Sequence, residues 1–63
     1  MDEKQLAQFI LDHLDKEYQE HGIYDAAYIY DDEALDSCGI DGHVDLIKLS
    51  EAILQKLNVG KDA

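Results

Sequence analysis

The sequence has no arginine, no proline and no tryptophan, and its only cysteine is Cys38. Each absence excludes something. Arginine is the preferred fork for phosphate backbones, so its absence from a chain of net charge −10 argues against direct binding of DNA or RNA. An anionic membrane surface is disfavoured for the same reason. A lone thiol cannot build a disulfide scaffold and suits a reducing compartment. No stretch approaches the roughly 18 consecutive apolar residues of a membrane span, and no basic start leads into an apolar leader. A cytoplasmic protein is expected.

What is present is enough for one modest core. At 63 residues a single domain is expected, and such a domain buries only about 60% of the surface its unfolded chain exposes. Hydrophobic residues make up 46% of the chain, which argues against disorder despite the charge.

Two segments have helical periodicity. Over residues 2–20, a rotation of about 100° per residue gathers Leu6, Ala7, Phe9, Ile10, Leu11, Leu14 and Tyr18 on one side, with Lys4, Gln8, Asp12 and Lys16 among those opposite. Asp2 and Glu3 are expected in the first turn, where carboxylates suit the helix dipole, and Gly22 is a natural stop. Over residues 45–58, Leu46, Ile47, Leu49, Ile53, Leu54 and Leu57 share a face; Asp45 is placed to cap the helix and Gly60 lies just past its end. Neither helix is stable alone in water at this length.

Residues 23–44 fit two descriptions. Tyr24, Ala26, Tyr28 and Tyr30 alternate as in a strand, while Ile23, Ala26, Ala27, Tyr30 and Ala34 form a helical stripe. A hairpin without a further sheet to join is marginal, which favours a short or irregular third helix. The expected fold is therefore an all-α, three-helix domain, with α+β and a short middle hairpin as the alternative. The Asp41-Gly42 pair then marks a tight turn into the last helix.

The charge is concentrated. Residues 1–16 carry −2 and residues 48–63 carry +1, so residues 17–47, with nine acids and no lysine, hold −9. All four tyrosines lie in that same stretch. Tyrosine supplies amphipathic contact area, and carboxylates steer a positively charged partner. Tyr24, Asp25, Tyr28, Tyr30, Asp31, Asp32, Glu33 and Asp36 are the expected partner-binding residues. The other interpretation is that the tyrosines complete a small core and the acids keep the domain in solution.

Other chemistry finds little support. His13, Glu17 and His21 stand at i, i+4 and i+8, a spacing that can present metal ligands on successive helical turns; a His13–Glu17 hydrogen-bonded pair explains the same residues, and no metal is assigned. Cys38 and His43 match no standard zinc spacing. Aligned as a calcium loop on Asp41-Gly42, the segment places Ser37 first and Lys48 last, losing the first ligand and the bidentate glutamate. Ser37 and Ser50 lack any local activating pattern, and no phosphate loop or nucleophile elbow occurs. No catalytic residue and no cofactor is expected.

The segment Ile40-Asp41-Gly42-His43-Val44-Asp45-Leu46, followed by Leu49, Ala52, Ile53 and Leu57, resembles small acidic proteins of phages and prophages that end in an I-D-G-x-(V/F)-D-L turn and a short amphipathic helix. The resemblance implies a setting, because such proteins are frequently inhibitors of host or defence proteins, including anti-CRISPR and anti-restriction proteins that imitate nucleic acid with carboxylates. The expected function is a non-enzymatic inhibitor that presents its acidic, tyrosine-bearing face to a basic site on such a protein. The alternative is an assembly module that homodimerises through its amphipathic helices.

Overall fold

The computed structural model describes residues 1–22 and 26–62, with side chains as far as residue 58. The order of elements is α1 (Glu3–His21), β1 (Ala27–Asp31), β2 (Gly39–Gly42) and α2 (Leu46–Asp62). The fold is α+β, which overturns the expected all-α, three-helix arrangement. A hairpin is marginal only where it stands alone. This one lies on α1, and a helix covering one face is sufficient support for two strands.

Local chemistry sets the helix ends. Asp2 caps α1 rather than occupying its first turn: its carboxylate accepts from the Gln5 N–H at 2.8 Å, and the Gln5 side-chain oxygen accepts from the Asp2 N–H at 3.0 Å. This reciprocal capping box satisfies two otherwise unpaired donors. At the other end Gly22 adopts φ +82°, and its N–H donates to the Tyr18 carbonyl at 2.8 Å. Asp45 caps α2, accepting from the Lys48 N–H at 3.0 Å. The helix continues through Gly60 to Asp62, beyond the stop that Gly60 suggests.

The two strands pair antiparallel, with Ala27 opposite Gly42, Tyr28 opposite Asp41 and Ile29 opposite Ile40. A register shift between Ile29 and Asp31 then sets Asp31 opposite Gly39, so Tyr30 is the extra residue of a bulge. Asp41-Gly42 therefore ends β2 instead of forming the expected tight turn. Gly42 has φ +106°, and a β-carbon there would stand 2.8 Å from the Ala26 carbonyl oxygen. Only glycine fits this approach of the strands.

The packed centre is small. Leu14, Ala26 and Ala27 are the buried hydrophobic residues among those described. The two alanines let the start of β1 lie close to Leu14 on α1. On a different side of α1, Phe9 meets α2, where the Lys56 ammonium stands 5.8 Å from the centre of the phenyl ring. The hairpin and α2 thus each use α1 as a spine. No helix is long and apolar enough to cross a membrane, among the described residues.

Candidate protein-binding face

The hairpin organises the acidic stretch. Alternation along the strand puts Tyr28 on the face opposite Ala27, and Tyr30 is the extra residue of the bulge that follows. Tyr28 is 41% exposed and Tyr30 64% exposed. The Tyr28 ring is held by Tyr18 of α1, with ring centres 5.2 Å apart and planes tilted by 43°. Such a tilted pair contributes beyond simple burial and fixes the ring's position. Tyr30 rests instead over Gly39 across the bulge, where a β-carbon would collide with three atoms of its ring.

The carboxylates follow directly. Asp31 ends β1, and its Oδ1 accepts from the Glu33 N–H at 3.3 Å, turning the chain into the loop. Asp31, Asp32, Glu33 and Asp36 are all exposed. A second small turn closes the loop, with the Ser37 N–H donating to the Ala34 carbonyl at 3.2 Å and the Cys38 thiol donating to the same carbonyl, also at 3.2 Å. Among the described residues no lysine forms an ion pair with any of these acids; the two ion pairs found both belong to His21. The loop thus carries four uncompensated carboxylates beside two exposed tyrosine rings.

Of the eight expected binding residues, Tyr28, Tyr30, Asp31, Asp32, Glu33 and Asp36 lie on this one hairpin and its loop, whereas Tyr24 and Asp25 fall outside the described residues. Two neighbours have no signal in the sequence. Asp41 stands directly opposite Tyr28 and adds an exposed carboxylate to the same patch. Tyr18, which belongs by periodicity to the apolar stripe of α1, is the residue that orients Tyr28. Each of these contacts joins residues on different elements, and no local pattern encodes them.

The histidines of α1 do not assemble as their spacing suggests. His21 pairs with Glu17 at 3.3 Å and stands 3.9 Å from Glu20, while the expected His13–Glu17 pair does not form. Glu17, Glu20 and His21 bring three donor atoms within 4.8 Å of one another, on a largely exposed turn. That arrangement is what an acidic helix end presents in any case. His13, Glu17, His43 and Asp45 line a crevice of only about 10 Å³ over Leu14, and Asp45 is already engaged as the cap of α2. Beside it, Ile10, Leu11, Leu35, Cys38 and Ile40 border an apolar groove of about 180 Å³.

No family model matches the sequence, and no curated protein or solved structure is significantly similar to it.

Proposed function

We propose that this chain is a non-enzymatic protein-binding module whose hairpin face binds a basic site on another protein. The observation that carries the proposal is the exposure of Tyr28 and Tyr30 beside Asp31, Asp32, Glu33 and Asp36, with no lysine paired to these acids among the described residues. Rings held at one side and open at the other offer contact area at little entropic cost, and unpaired carboxylates speed encounter with a cationic surface. The likeness of the Ile40–Leu46 segment to phage proteins supports a partner among host or defence proteins. An array of carboxylates on one face suits a partner site that otherwise holds nucleic acid, as in the anti-CRISPR and anti-restriction type of inhibitor.

The test is capture of the partner from host lysate at low and high salt, followed by measurement of its affinity. Binding should weaken steeply as salt rises and should be competed by nucleic acid. Replacing Asp31, Asp32 and Asp36 by asparagine and Glu33 by glutamine should abolish it. Unchanged affinity in that variant would end the proposal.

A further inference from the structure

The apolar stripe of α2 is wider than the surface α1 covers. Leu49, Ala52 and Ile53 are half-buried along the side nearest α1, and α2 does not approach the hairpin among the described residues. The adjoining flank stays open, with Leu46 67%, Ile47 72%, Leu54 59% and Leu57 46% exposed. We propose that this flank is where a second copy of the chain docks, α2 against α2.

Three observations select a second copy. The first is area. The chain exposes 5005 Å², whereas a folded monomer of 7.1 kDa is expected to expose about 4,100 Å². The excess, about 900 Å², belongs to the chain as a whole, and the open flank of α2 with Leu46, Ile47, Leu54 and Leu57 contributes to it.

The second is charge. Two copies each carry −10, so any pairing through residues 17–47 would bring −9 against −9. Leu46 and Ile47 close that stretch, but the rest of the seam lies in residues 48–63, which carry +1, so two copies meeting through α2 keep most of that repulsion away from the contact. The third is pattern. Ile47, Ser50, Leu54 and Leu57 are spaced 3, 4 and 3 residues apart, the spacing of a paired-helix seam; all four are exposed, and three are apolar with the small Ser50 between them. A two-fold axis across such a seam sets Ile47 of one copy toward Leu57 of the other and the reverse, so one patch is its own complement.

This inference stands apart from the acidic face, and salt separates the two. Apolar association between like-charged chains persists or strengthens with salt, whereas binding through carboxylates weakens. Sedimentation equilibrium of the whole chain from micromolar to millimolar concentration should show a mass rising to twice 7.1 kDa. Ile47→Glu and Leu54→Glu should each return the mass to that of one chain with the helical circular dichroism retained, while Gln55→Ala, outside the seam and beside Phe9 of α1, leaves the dimer intact.

A parent chain of single mass at every concentration would overturn the inference. So would a dimer that persists in both glutamate variants. Should those variants unfold, a mixture of isotope-labelled and unlabelled parent decides the matter. Intermolecular contacts from α2 methyl groups support the inference, and intermolecular contacts confined to other elements, or none at all, defeat it. A monomer would leave the acidic-face proposal standing.

Discussion

The ring of Tyr30 occupies the space that a side chain at Gly39 would need: a β-carbon on Gly39 would stand 2.7 Å from Tyr30 Cζ and 2.9 Å from Cδ2. The missing side chain and the exposed ring are two parts of one arrangement, since the bulge that makes Tyr30 the extra residue also sets Gly39 opposite Asp31. Gly39→Ala should therefore move the ring more than it alters the fold. An alanine gains about 0.5–1 kcal/mol of strand preference over glycine, which offsets much of the cost of swinging an exposed ring aside. Proton NMR should show the contacts between the Tyr30 ring and residue 39 lost in the variant, with a melting temperature close to that of the parent. Ring contacts preserved in the variant would contradict the arrangement.

Gly42 is a different case. Its φ of +106° disfavours any side chain, and the atom a β-carbon would meet is the Ala26 carbonyl oxygen, which belongs to the backbone and cannot turn away. Gly42→Ala should cost at least about 1–3 kcal/mol. In a domain of this size that lowers the melting temperature by roughly 4 °C or more. Gly22→Ala is the comparison, because φ is +82° there but nothing lies within 4 Å of the added carbon. Thermal melts should rank Gly42→Ala below Gly22→Ala.

Leu14 is the one large side chain among the buried residues described, and it lies beside Ala26 and Ala27 at the start of the hairpin. Leu14→Ala should cost about 2–5 kcal/mol, a large fraction of what a domain this small has to lose. Urea titration followed by circular dichroism should show a much lower midpoint or no folded baseline. A midpoint near that of the parent would mean that the hairpin is held by something other than this contact.

Asp45 acts through a single hydrogen bond to the Lys48 N–H. Asp45→Ala should lower stability by about 0.5–2 kcal/mol, whereas Asp45→Asn, which keeps an accepting oxygen, should lose far less. Both variants remove the same negative charge. A difference between them in denaturant titration isolates the cap, and equal behaviour would show that charge alone matters at this position.

The loop acids have no lysine partner among the described residues, and repulsion among them should oppose folding. The variant with Asp31, Asp32, Glu33 and Asp36 neutralised should be more stable than the parent at low salt, by a few tenths to about 1 kcal/mol. The Asp31→Asn change keeps the side-chain oxygen that accepts from the Glu33 N–H, so the turn itself should survive. The advantage should disappear near 1 M salt, where charges are screened beyond about 3 Å. A neutralised chain less stable at low salt would mean that these carboxylates hold the loop in place.

What the sequence alone determined is what neighbouring residues decide among themselves. The cap at Asp45 and the end of α1 at Gly22 rest on bonds spanning three or four residues and were legible in the chain, whereas Asp2, expected inside the first turn, is the cap of α1. The concentration of acids and tyrosines in residues 17–47 is equally a property of the sequence. Tertiary structure decided whether the middle segment formed a helix or a hairpin, because alternation and helical stripe coincide over Tyr24–Ala34 and only the face of α1 distinguishes them. It also decided that Asp41 stands opposite Tyr28, that Tyr18 holds Tyr28, and that Tyr30 covers Gly39. For α2 the periodicity marks a stripe from Leu46 to Leu57, but a stripe records only which residues are apolar. Which half is covered depends on where α1 lies, and the half that α1 does not reach stays exposed.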